Sequence, residues 1–228
     1  WIPLGYIFET GLLSDLLKFF TVPQFRTVTL DCLTEIASLP PADIPDNYRS
    51  TMINLLVIVM SRLNEMIPPD AELPSAYAGG SDEERLFVHR LGLFLSTYLK
   101  SFLPFFDAMG PNIQEEQTLQ LALNFLIRIS SVKSEDDEVF KTVLDFWQYF
   151  AKELYQAETS AVAVGGRSGV FGSAGGAAGG YTAVPLVPPL GQEKQRNHGS
   201  DGSGAQLFPV QQRYTNILSQ LRVIMIDH

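Results

Sequence analysis

Cysteine is nearly absent: Cys32 stands alone in 228 residues, so no disulfide can form within the chain. No Asn-x-Ser/Thr sequon occurs either, and both features fit an intracellular, reducing setting. Long apolar runs are missing as well. The longest, residues 55–60, falls far short of the roughly 18 to 20 residues a helix needs to cross a bilayer, so no membrane insertion is expected. Basic residues are scarce, with 16 Lys and Arg against 25 acids and a net charge of −9. Duplex binding needs Lys and Arg to displace counterions, so nucleic acid is not an expected partner. Trp1 rather than Met opens the sequence, followed by apolar Ile2, Pro3 and Leu4 without the basic start of a signal peptide, which reads as an internal fragment.

The signatures of catalysis are missing too. There is no Gly-x-x-x-x-Gly-Lys-Ser/Thr loop and no Gly-x-Ser-x-Gly elbow. The glycine run over residues 165–180 has no strand before it and no clear helix after it, so it offers no phosphate cradle. His89, His198 and His228 are scattered, with no His-Glu-x-x-His pattern and no cysteine pair, which argues against a metal site. No enzyme and no cofactor are expected.

What is present divides the chain. Residues 1–156 carry 21 acids and 11 bases, residues 157–206 carry 3 and 3, and residues 207–228 carry 1 and 2. The middle stretch holds 12 of the 18 glycines and reads as a low-complexity, disordered loop, because ordering glycine costs more entropy than its few large apolar residues recover. On either side, apolar residues recur at spacings of three and four, the helical period. Seven helices can be drawn. The first covers about 1–21 with a possible break at Thr10 and Gly11, and the second runs 23–38 and ends at Pro40 and Pro41. The third, 48–67, ends at Pro68 and Pro69. A fourth covers 82–108 and opens on the capping box of Ser81 and Glu84. The fifth starts after Asn112, and the sixth follows a cap at Ser134 and carries Val139, Phe140, Val143, Leu144, Trp147, Phe150, Ala151 and Leu154. The seventh spans about 210–226.

Nothing alternates as a strand would, so the fold class is all-α. Helices paired at a spacing near 40 residues, loops discounted, point to a HEAT or armadillo-like α-α superhelix of about three and a half repeats. The pairs are 1–39, 46–109 and 112–156, with 207–228 as the first helix of the next repeat. Cys32, beside Leu33 and Ile36, reads as a small core residue. The aromatics Phe94, Tyr98, Phe102, Phe105, Phe106, Trp147 and Phe150 read as core rather than as a peptide groove. Acids cluster at 82–84, 115–116 and 135–138, all at helix starts, where the helix dipole favours them. If those starts align, the acids form a strip able to attract a basic protein surface.

Five ordered stretches carry a likeness to a known family: residues 1–10 (WIPLGYIFET), 32–36 (CLTEI), 93–99 (LFLSTYL), 140–155 (FKTVLDFWQYFAKELY) and 219–224 (SQLRVI). Together they resemble the exportin-1 family, the chromosome region maintenance type of karyopherin in the importin-β superfamily, which carries leucine-rich export signals out of the nucleus. The resemblance covers everything except about 158–206. It implies a HEAT-repeat segment from the N-terminal half of a longer receptor that binds Ran-GTP, export-signal cargo and nuclear pore proteins and shuttles between nucleus and cytoplasm. It also implies that the cargo groove lies C-terminal to this region, so that Cys32 is not the family's groove cysteine. By the same resemblance the sixth helix is the inner member of its pair, and its polar residues Asp137, Glu138, Lys141, Asp145, Gln148 and Lys152 become candidate Ran contacts; of these, Asp137, Lys141, Asp145, Gln148 and Lys152 recur at three or four residues and so share a stripe. The plainer account of that stripe is a solvated face. A static HEAT scaffold that assembles another complex is the alternative function, which composition and periodicity do not separate from the receptor.

Overall fold

A computed structural model describes residues 2–68, 71–108, 112–134, 137–165 and 209–228. These hold nine α-helices and no strand: α1 (Leu4–Glu9), α2 (Leu12–Phe20), α3 (Pro23–Ala37), α4 (Asp46–Met66), α5 (Leu73–Gly79), α6 (Asp82–Ala108), α7 (Ile113–Ser130), α8 (Glu138–Gly165) and α9 (Pro209–Asp227), with a 3-10 turn at Pro41–Asp43. The all-α reading holds. None of these helices is long and apolar enough to cross a membrane.

The helix ends follow the local chemistry. Thr10 breaks the first helix by donating its hydroxyl to the Tyr6 carbonyl (2.6 Å) while accepting the Leu12 N–H (3.2 Å). At the start of α6, Glu84 accepts from the Ser81 N–H (2.7 Å) and hydroxyl (2.9 Å), and Ser81 Oγ accepts in return from the Glu84 N–H (3.3 Å). That is the reciprocal capping box, and the bonds from Ser81 hold the Glu84 carboxyl below its ordinary range. Asn112 Oδ1 caps α7 through the Gln114 N–H at 3.1 Å.

Two features depart from the sequence reading. The short helix α5 was not drawn, because seven residues give too little periodicity to see. It is held from outside: Arg85 donates to the carbonyls of Tyr77 (3.1 Å) and Ala78 (3.0 Å), and Arg128 to those of Pro68 (3.2 Å) and Ala71 (2.7 Å). The second departure is α8, which continues to Gly165, past residue 157 where the glycine-rich loop was expected to begin. Ala157, Glu158, Ala161 and Ala163 precede the first glycine pair and favour helix. The remainder of that expected loop, up to residue 206, lies outside the described residues.

The helices stack in two layers. α3, α6 and α8 form one, with the most extensive contacts of the molecule running from α3 to α6 and from α6 to α8. α2, α4, α7 and α9 lie against the other side, where α2 packs on α3 and α7 packs on α4, α6, α8 and α9. This is a HEAT-like superhelix whose core sits between the layers. Tyr98 of α6, fully buried, donates to the Met52 carbonyl of α4 at 2.7 Å. Gly92 lets three helices meet, since a Cβ there would lie 3.2 Å from both Ile129 Cγ2 of α7 and Val143 Cγ1 of α8.

The expected aromatic core is present: Phe94, Tyr98, Phe102, Phe106, Trp147 and Phe150 are all buried, and Phe105 packs against the cluster half-buried. Cys32 is not in that core. It is exposed, because α3 buries Thr29, Leu30, Leu33, Ile36 and Ala37, and a residue one position before Leu33 lies roughly 100° round the helix from it. On α8 the roles of two residues also change, with Phe146 fully buried and Ala151 exposed.

Candidate functional site

The polar stripe of α8 exists as a surface. Glu138, Lys141, Asp145, Gln148 and Lys152 are all exposed, and at about 100° per residue they fall within roughly 80° of the helix circumference. The opposite side of α8 supplies Val139, Val143, Phe146, Trp147 and Phe150 to the core, so the stripe is the face that core packing leaves free.

Asp137 does not share that stripe. It lies in the turn before α8 with φ of 52°, a left-handed conformation that Asp tolerates better than most residues. Ser134 Oγ accepts from the Val139 N–H across this turn at 3.3 Å. The Asp137 carboxylate faces the His228 ring, with Oδ1 3.7 Å from Nδ1. That ring stacks on Phe140 at 4.2 Å between centroids, and its Nε2 lies 2.9 Å from the Ser130 carbonyl. The four-residue spacing from Asp137 to Lys141 suggests a helical position; the cap geometry moves Asp137 off the helix. His228, which its place at the end of the sequence made look incidental, therefore links α9 to the α7–α8 hairpin.

Ion pairs join the neighbouring helices of this layer, one exposed and one half-buried. Asp145 Oδ2 lies 3.5 Å from Lys100 Nζ of α6, and Arg90 Nε of α6 lies 3.3 Å from Asp31 Oδ1 of α3. Beneath them His89 Nε2 and Thr142 Oγ1 are 2.7 Å apart, and Thr142 donates to the Glu138 carbonyl at 2.9 Å. The face of α3, α6 and α8 is thus a mixed-charge surface with one ion pair at each helix junction. The exposed Lys100–Asp145 pair stabilises little, and its partners can exchange for groups on another protein.

The acidic clusters do not form one strip. Late α7 meets early α6 at Ile129 and Gly92, so α7 runs opposite to α6. His89 of α6 meets Thr142 of α8 near the start of each helix. Residues 82–84 and 137–138 therefore share one end of the stack and Glu115 and Glu116 the other, while 135–136 lie outside the described residues. Glu116 is already engaged: Arg213 of α9 donates to it, as does Gln120 at 3.0 Å. The Arg213 bond holds its carboxyl below the ordinary range against the opposing effect of burial. No group of three His, Cys, Asp or Glu able to hold a metal is found among the described residues.

Residues 117–155, which cover most of α7 and the start of α8, match the family model for the chromosome region maintenance or exportin repeat. Over 228 residues the chain is 35% identical to Protein EXPORTIN 1A of Arabidopsis thaliana, covering 100% of this chain and 19% of that protein. It is 37% identical to Exportin-1 of Drosophila melanogaster over 228 residues, 100% of this chain and 17% of that one. With Exportin-1 of Schizosaccharomyces pombe the identity is 35% over 157 residues, 68% of this chain and 14% of that one. The chain spans about a fifth or less of the length of these curated relatives.

Proposed function

We propose, because the chain belongs to the exportin family of nuclear export receptors, that it supplies part of the surface with which such a receptor holds Ran in its GTP form. Export-signal cargo and nuclear pore proteins are held by the longer receptor, which carries its cargo from nucleus to cytoplasm. The exposed stripe of Glu138, Lys141, Asp145, Gln148 and Lys152 carries this reading, with Asp137 beside it at the start of α8. It lies on the α3–α6–α8 layer, it is rich in charges of both signs, and the ion pair of its Asp145 with Lys100 is exposed. The chain contributes by binding and by flexing rather than by a reaction of its own. In a solenoid, small changes at each helix junction add into a change of curvature, so that one ligand alters the affinity for another.

The test reverses Glu138→Lys and Asp145→Lys together in the complete receptor and measures Ran-GTP binding with an export-signal peptide present, at two salt concentrations. Binding should weaken, and its salt dependence should change. Unchanged binding at both salts with the fold intact would leave the stripe a solvated face.

A further inference from the structure

The layer opposite the α8 stripe carries a groove between α2 and α4 of about 510 Å³, within the size range of ligand-binding clefts. Leu13 and Leu55, both buried, form its floor, and half-buried Leu17 and Ile58 form its walls. The charged residues that line it are Lys18 and Arg62, both cations, in a chain whose net charge is −9. Among the described residues each pairs with an exposed neighbour on its own helix: Lys18 with Asp15 at 2.8 Å and Arg62 with Glu65 at 3.7 Å. Neither acid lines the groove, and pairs this exposed exchange readily for a better-placed carboxylate. Asn54 lines this groove and also a smaller one of about 130 Å³ that continues from α4 toward the start of α7. Its amide offers both a donor and an acceptor, the pair that an extended peptide backbone needs.

We propose that this groove docks a short extended segment of a partner protein whose apolar side chains, two residues apart, enter between α2 and α4, and whose flanking carboxylates meet Lys18 and Arg62. Apolar floor, cationic rim and amide together define that chemistry. Successive side chains of an extended chain point to opposite sides, so residues two apart reach one floor. The groove lies on the α2–α4 layer, away from α8, so occupation of one face leaves the other open. The proposal therefore stands or falls separately from the Ran-binding reading.

The probe is a fluorescein-labelled peptide reading EEVSIEE, with KKVSIKK as its charge-swapped twin, titrated against the full chain by anisotropy. The acidic peptide should bind and protect the amides of α2 and α4 from hydrogen exchange. Lys18→Glu combined with Arg62→Glu, both exposed, should weaken it by about tenfold or more and admit the basic twin instead. Asn54→Ala should weaken the acidic peptide without admitting the basic one. Circular dichroism matching the parent shows that each variant is folded, and Ile58→Gln gives an independent wall variant that should weaken both peptides. Equal binding of the acidic peptide to the rim variant, protection outside α2 and α4, or no binding up to about 1 mM would each overturn the proposal.

Discussion

Trp147 Nε1 donates a 2.8 Å hydrogen bond to Ser130 Oγ, and Ser130 in turn donates to the Leu126 carbonyl at 2.7 Å. Both side chains are buried, Ser130 completely. An indole in an apolar core needs a partner for its N–H, and the last turn of α7 supplies one. The ring edges of Phe146 and Phe150 surround it at 5.0 and 5.9 Å between centroids. The contact locks α8 onto α7 within the segment that matches the exportin repeat.

Trp147→Ala should therefore cost about 3 to 5 kcal/mol, the range for truncating a buried large aromatic. Trp147→Phe should cost less, since it keeps much of the packing and loses chiefly the hydrogen bond, about 1 kcal/mol. Denaturant unfolding of the two variants checks both the size and the order. Stability of Trp147→Ala within error of the parent would exclude a core role.

Gly92 presents a competition between two effects of opposite sign. Alanine in mid-helix is favoured over glycine by about 1 kcal/mol, yet its Cβ would sit 3.2 Å from Ile129 Cγ2 and Val143 Cγ1. Both neighbours are fully buried and β-branched, so their rotamers give way poorly. Overpacking of this kind costs about 1 to 3 kcal/mol and should win. Gly92→Ala is expected to lower the melting temperature, and Val143→Ala in the same chain to recover part of the loss. A higher melting temperature for Gly92→Ala alone would show that α6, α7 and α8 separate easily.

Glu116 ties α7 to α9 through Arg213 and also accepts from Gln120 of its own helix, whose amide donates to the Arg213 carbonyl at 3.3 Å; its carboxyl is held low chiefly by the Arg213 bond. A carboxyl depressed in the folded state contributes stability that is present above its unfolded value, 4.5. That contribution is lost as pH falls through the lower folded value. Hydrogen exchange of α9 should accordingly quicken in Glu116→Gln at neutral pH while α6 stays protected. The difference between variant and parent should shrink as pH falls below about 4.5 and vanish once the parent carboxyl is protonated. A difference that persists in strong acid would assign the effect to packing rather than to charge.

The parts of this fold that could be read from sequence are those set by local chemistry and by a long period. The capping box at Ser81 and Glu84, the Asn112 cap and the proline stops depend only on neighbouring residues. The buried face of α8 repeats often enough to be seen without a partner. What escaped is too short to show a period or depends on contacts distant in sequence: α5 has seven residues and leans on Arg128 nearly sixty residues later, and the linking role of His228 rests on Phe140, Ser130 and Asp137, some ninety residues earlier. Lys141, Asp145, Gln148 and Lys152 of the stripe were legible from helical spacing, whereas a spacing counted from Asp137 passed over Glu138, which holds the first place on the exposed face. Asp137 was misplaced because a three- or four-residue interval does not reveal where a helix begins. The acidic clusters suffered the same limit, since a position at a helix start says nothing of which end of the stack that start occupies.

Cys32 offers the sharpest check on helix orientation. The thiol adjoins Leu33, which is fully buried, yet is itself exposed on α3. Asp31 on its other side reaches across to Arg90 of α6, so α3 turns its Thr29, Leu33 and Ile36 side inward and carries Cys32 on the flank. Two measurements follow from that orientation. An aromatic disulfide reagent should titrate one thiol per chain in the native state, without denaturant and without loss of helical circular dichroism. Cys32→Ala should change stability by no more than about 0.5 kcal/mol, as for an exposed position away from caps and core. A thiol that reacts only after unfolding, joined to a loss of about 1 kcal/mol or more on substitution, would return Cys32 to the core and require α3 to be rotated on its axis.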